Sequence, residues 1–201
     1  MLIHPWDTAR DDAQWREFAE RTGFGHLVAA GRGRDLPVIV PTQFVFDGDD
    51  LLIHLARPNP VWQAIEENDR VVFTVSGDWA YIPSAWKAIG DEDPALGIPT
   101  TYYASVQFVA KAAIVDDPEQ KLQLLRRQLA VVEPTGGHAD PAVHRRQLNG
   151  IRGLRLTVED VRAKFKYGGN VDAAHRESVA DHLHARGDIA VETQVRKGLE
   201  P

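Results

Sequence analysis

The position of the β-forming segments constrains this chain more than any other feature. Apolar, β-branched runs fall at 25–30 (GHLVAA), 37–46 (PVIVPTQFVF), 51–53 (LLI), 70–75 (RVVFTV) and 102–115. Two more follow at 151–158 and 161–167. Glycine- and aspartate-rich turns at 31–35 and 47–50 separate the early runs, and the second has hairpin chemistry. These six or seven strands are interspersed with four or five helices but crowd into the first half. They show no regular strand–helix–strand alternation. That argues against a doubly wound parallel sheet and predicts a mainly antiparallel β fold with peripheral helices.

The helices carry clear start and stop signals. A first helix is expected over 8–22, with Trp15, Phe18 and Ala19 on one face and Gly23 at its end. Asp117-Pro-Glu-Gln starts a helix reaching about Val132, Asp140-Pro starts a short one ending near Gly150, and Asp172 caps one that stops at Gly187. Residues 76–78 read as a turn, 84–99 as a long surface loop, and the polar last fourteen residues as mobile or wrapped round a neighbour. The expectation is one domain over 1–201, with helical additions at about 8–22, 117–149 and 172–186.

Composition excludes several functions. The 201 residues contain no cysteine, so disulfides, thiolate catalysis and cysteine metal sites are ruled out. No apolar run approaches the ~20 residues that span a bilayer, and the N-terminus lacks a secretion signal, so cytoplasmic residence is expected. Net charge is −6, with −9 over 1–144 and +3 over 145–201. The basic end interleaves its cations with Asp and Glu, as a solvated surface does. His182 and His184 face apart on their helix, and no carboxylate completes a metal spacing with His175. No Rossmann, P-loop or G-x-S-x-G pattern is present.

The stretch 51–62, LLIHLARPNPVW, carries the most chemistry. A strand runs into a polar turn, Asn59 suits an N-cap and Pro60 the first helical position. His54, Arg57 and Asn59 gather there, where free N–H groups, the helix dipole and a guanidinium favour an anion such as phosphate; an ordinary capped helix with solvated side chains is the alternative. Pro41 interrupts the strand before it and marks an edge, a bulge or a close approach to the backbone. Tyr81, Ser84 and Trp86 suit a pocket wall, a core or an interface between copies. Lys164 and Lys166 share one strand face, as a surface pair or a cation site.

Four blocks, taken in order, resemble the PaiB-type FMN-binding family, split β-barrel flavoproteins related to pyridoxamine-phosphate oxidase. They are H-x-A-R-x-N-P-x-W at 54–62, AYIPSAW at 80–86, IPTTYY at 98–103 and FKYGGN at 165–170. The resemblance implies an FMN-binding split β-barrel, flavin phosphate at His54, Arg57 and Asn59, and the backbone of Val40, Pro41 and Thr42 beside the flavin ring. It adds Tyr81, Ser84, Trp86, Thr100 and Tyr102 as pocket residues. Lys166 and Asn170 come from the last block, with a cation near the flavin N1–O2 edge stabilising the reduced, anionic flavin. The family's Trp-Asn pair is Thr101-Tyr102 here, which changes that side of the pocket.

The expected function is an FMN-dependent oxidoreductase or flavin reductase with no evident proton donor, acting as a homodimer on an unidentified electron donor or acceptor. The alternative is a flavin-binding negative transcriptional regulator without catalysis. The acidic chain has no evident helix-turn-helix, so direct DNA binding is not expected. A split barrel holding haem or a deazaflavin is a third reading.

Overall fold

The computed structural model describes residues 1–199. They form two compact units: a larger one of 16–75 and 107–162, and a smaller one of 1–15, 76–106 and the chain from Ala163 onward. Seven strands, β1 (Phe24–Ala29), β2 (Val38–Gln43), β3 (Val45–Asp47), β4 (Asp50–Ala56), β5 (Arg70–Ile82), β6 (Thr100–Val115) and β7 (Ile151–Lys166), all contribute to the larger unit. Their order is β2-β1-β5-β6-β7-β4-β3. β1 runs antiparallel to β2 and β5, and β4 antiparallel to β3 and β7. Among the described residues no helix is long and apolar enough to cross a membrane.

The larger unit is built on aromatic rings. Phe44 packs edge-on to Phe73 at 4.8 Å and to Phe46 at 5.6 Å, and Phe46 meets Phe108 at 5.9 Å. All four are buried, and such tilted contacts add to the burial of ~150–250 Å² per ring. Gly25 sits where a Cβ would strike the Thr74 carbonyl and the Phe73 ring, so β1 can lie against β5 only with glycine there.

Pro41 is resolved as an edge proline. β2 ends the sheet, and Pro41 lies exposed within it, opposite His26. The interruption of the 37–46 run falls at Phe44 instead, between β2 and β3.

Other expectations are corrected. The first helix, α1, is Asp12–Thr22 and starts late, because Asp11 Oδ1 accepts from Gln14 N and Thr8 is drawn into a bridge with Lys164. The turn expected at 76–78 is instead a bend inside β5, made by Asp78 at φ +47°. β7 is one strand rather than two: its middle is exposed, so apolar patterning lapses there while pairing does not. Helix α2 (Val61–Glu67) begins one residue after Pro60, and Asn59 Oδ1 accepts from Val61 N at 3.0 Å.

Helix α3 (Pro118–Val132) is capped as expected, Asp117 accepting from Gln120 N. The Pro141–Gly150 segment is a 3-10 helix kinked at His144. Helix α4 (Ala173–Arg186) ends on Gly187 at φ +85°, whose N–H donates to His184 O. Beyond it lies a helix where mobile chain is expected, α5 (Ile189–Lys197), which buries Val191 and Val195 one turn apart. Residues 200 and 201 lie outside the described residues.

Candidate functional site

The predicted site residues divide between the units, six in the larger and seven in the smaller. In the larger unit, β4 delivers Arg57 to a corner already rich in partners. Arg57 Nη2 and Nη1 donate to the two Asp116 oxygens at 2.5 and 3.1 Å, and Nε donates to Asn149 O at 2.7 Å. The guanidinium thus holds the Asp116 carboxyl below its ordinary pKa, and Asp116 in turn raises that of Arg57. Lys121, 2% exposed, completes the corner: its Nζ donates to Leu148 O at 2.7 Å and Ile151 O at 3.3 Å and lies 3.5 Å from Asp116. The fork expected to face a phosphate is closed on a carboxylate and a carbonyl.

His54 turns elsewhere. Its Nδ1 lies 2.7 Å from Gln128 Oε1, and Gln128 Nε2 donates to Leu52 O at 3.2 Å. A carbonyl can only accept, so the Gln128 oxygen must face the imidazole, which fixes Nδ1 as the protonated nitrogen. His54 lines a cavity of about 530 Å³ with Gln43, Leu125, Leu129, His144 and Ile151. No Lys or Arg lines it, and Glu133 is the one carboxylate. This wall suits a neutral, largely apolar molecule and not a phosphate. On β2, Val40 is half-buried, Pro41 exposed, and Thr42 buried with its hydroxyl donating to Gln43 O.

In the smaller unit, the loop expected over 84–99 contains 3-10 turns at Ser84–Lys87 and Pro94–Leu96. Trp86 stacks on His182 at 5.2 Å, and the Arg186 guanidinium lies 4.3 Å over its ring. Tyr81 is exposed, Ser84 half-buried and Asn170 exposed. Tyr102 is buried, and burial raises its pKa. Its hydroxyl occupies the space a Cβ would need at Gly168, the first glycine of FKYGGN.

Lys164 and Lys166, one face of β7, have different fates. Lys164 is buried, donates to Leu2 O at 2.9 Å and lies 3.5 Å from Asp7. Lys166 Nζ donates only to Thr100 Oγ1, at 2.7 Å. Its ammonium acts on Lys87, whose pKa falls through burial and then through repulsion by Lys166. Among the described residues neither Lys87 nor Lys166 has a carboxylate within ion-pair distance. Lys166 with the Thr100 hydroxyl makes a donor set that an anion would complete.

Sequence reasoning missed Asp116, Gln128 and Lys87. Asp116 precedes the α3 cap and reads as part of it, Gln128 lies among the leucines of α3, and Lys87 sits in an irregular loop. None has a local signal.

A sequence profile of the family described as "Putative FMN-binding domain" matches residues 1–160. A Bacillus subtilis protein, Protease synthase and sporulation protein PAI 2, is 26% identical over 177 residues, covering 83% of this chain and 81% of its own. The flavocytochrome Anf3 from Azotobacter vinelandii matches with TM-score 0.62 and 18% identity, over 84% of this chain and 73% of its own. The FAD and heme binding protein from Mycobacterium smegmatis matches with TM-score 0.61 and 17% identity, over 86% and 78%. These likenesses show the fold, the split β-barrel.

Proposed function

On the premise that this chain belongs to the FMN-binding domain family, as the match over residues 1–160 establishes, we propose that it is an FMN-dependent oxidoreductase. The observation carrying this reading is Lys166, whose ammonium donates to Thr100 Oγ1 at 2.7 Å and has no carboxylate within ion-pair distance among the described residues. That donor set fits FMN, which brings a phosphate and a ring edge that turns anionic on reduction. Lys166 and Thr100 would hold the anionic group, with Lys87 adding charge. Bound FMN supplies hydride or electron transfer at its ring. Cations beside a charge that grows on reduction favour the reduced state, which is what a reductase needs.

Exposed Trp79 and Tyr81 on β5 support association of two copies. A regulatory reading draws on the Bacillus subtilis relative, named for protease synthesis and sporulation; the net charge of −6 speaks against direct contact with DNA.

Titrating purified protein with FMN and following flavin absorbance and fluorescence tests the proposal. Saturable binding with nicotinamide-driven bleaching of the flavin is expected. A protein that stays colourless with FMN present would overturn it. A salt-dependent shift of promoter DNA would favour the regulatory reading.

A further inference from the structure

The smaller unit contains a second, separate concavity. It is a cavity of about 240 Å³ whose lining includes Trp6, Arg10, Gln14, Phe165, Tyr167 and Arg176. No Asp, Glu or Lys lines it. Trp6, Arg10 and Gln14 come from the N-terminal segment and Phe165, Tyr167 and Arg176 from the C-terminal one. Phe165 lies between Lys164 and Lys166 on β7, which places it on the opposite strand face from the cation discussed above.

Its charge is unbalanced. The smaller unit has four arginines. Arg186 pairs with Asp188, and Arg196 with Glu192 and Asp181. Arg10 and Arg176, the two in the cavity wall, have no carboxylate partner among the described residues. Arg10 Nη1 donates to Lys197 O at 3.2 Å and Arg176 Nη2 to Val195 O at 3.2 Å. Arg176 Nε is buried with no hydrogen-bond partner among the described residues. A guanidinium held by one carbonyl, with a further donor orphaned, is an incomplete arrangement in a chain whose surface is otherwise rich in acid.

The wall is also shaped by backbone that tolerates no side chain. A Cβ at Gly198 would strike the Arg176 guanidinium, and one at Gly169 would strike the Trp6 carbonyl. Gln14 Oε1 accepts from Arg10 N, which leaves its amide N–H₂ as a further donor. Trp6 stacks on His4 at 4.7 Å, 9° from parallel, and is still about half exposed, at 48%. The wall therefore combines two forks that have no carboxylate among the described residues with the rings of Trp6, Phe165 and Tyr167.

We infer that this cavity binds a small aromatic carboxylate, its carboxylate on Arg10 and Arg176 and its ring against Trp6 and Phe165. Arg matches a carboxylate bidentately, and the two oxygens of one carboxylate can accept from both forks at once. The volume exceeds what inorganic phosphate fills and is too small for a dinucleotide.

The test uses benzoate, titrated calorimetrically into the full chain at low ionic strength, with tryptophan fluorescence in parallel. One site per chain is expected, with tryptophan emission changing on saturation and FMN binding unaltered. R10Q, at an exposed position, is expected to weaken benzoate at least about tenfold; R176Q should do the same, and W6A should weaken it while abolishing most of the fluorescence change. R10Q carries the test should R176Q not fold. Absence of saturation by ~10 mM benzoate overturns the inference, as does an unchanged affinity in R10Q. Inorganic phosphate binding as tightly as benzoate overturns the aromatic specificity. Displacement of benzoate by FMN would return the cavity to the flavin site and end the proposal.

Discussion

The corner at Arg57 and the cluster at Lys166 both collect cations at the end of a strand, yet they are built to opposite ends. At the corner, Arg57, Arg152 and Lys121 all reach Asp116, and backbone carbonyls take further donors of Arg57 and Lys121. At the cluster, Lys166 donates to the Thr100 hydroxyl, and its charge lowers the pKa of Lys87. A cation that the fold has neutralised is a clasp, because its hydrogen bonds are already spent on the chain. A cation left repelling another is held there by the fold against its own electrostatics, which is the mark of a binding position.

The largest expected effect breaks the clasp. Lys121 is buried with its ammonium on two carbonyls, so K121A takes one donor from each of Leu148 O and Ile151 O, leaves a void in the core, and leaves the carboxylate of Asp116 with less charge around it. A loss of about 3 kcal/mol in denaturant unfolding is expected. A loss under about 1 kcal/mol would show that the corner holds little together.

Next comes the cluster itself. K166M is expected to raise the Kd for FMN about tenfold, roughly 1.4 kcal/mol, while leaving the unfolding midpoint nearly unchanged. R57M should do the reverse: a lower midpoint, with FMN affinity within about threefold of the wild type. Equal losses of FMN affinity in the two variants would erase the distinction between clasp and binding position, and would show that the Arg57 fork leaves Asp116 for the phosphate.

Acid separates the two regions more gently. Asp116 is held below the ordinary carboxylate range by Arg57, and Glu67, bonded to Arg34 and to Arg32 N, is lowered from 4.5 to about 2. A carboxylate whose folded pKa is depressed stabilises above its unfolded value and loses that contribution as pH falls through the folded one. Unfolding midpoints should therefore drop between about pH 4.5 and 2, and E67Q should flatten part of that slope.

The two regions also differ in how far they could be read in advance. The strand segments, the Asp117 and Asp172 caps and the Gly187 stop were legible, because each is a local device whose residues lie within one turn. The missing N–H of Pro41 narrowed it to an edge, a bulge or a close approach, and the fold makes it an edge residue. The fate of Arg57 did not. Asp116 is 59 residues away, and nothing near Arg57 announces a carboxylate. The same holds for His54, drawn off by a glutamine 74 residues distant. Lys164 and Lys166 share a strand face by simple periodicity, but only the fold shows that Asp7 answers one, while the other meets a hydroxyl and no carboxylate among the described residues. The helix α5 escaped for a different reason: two valines four residues apart are too small an apolar stripe to outweigh its polar neighbours.

The smallest expected effect sharpens the cluster alone. Burial lowers the Lys87 pKa first, and Lys166 lowers it further. Removing the second charge in K166M takes away the repulsion but not the burial, so Lys87 should titrate higher than in the wild type and still below a free lysine. The folded state then binds that proton more readily, which makes the variant's stability a little less dependent on alkaline pH. NMR titration of the Lys87 side chain reads this directly. An unmoved Lys87 would mean that the two ammonium groups do not share a field, and that an anion reaching Lys166 would gain nothing from its neighbour.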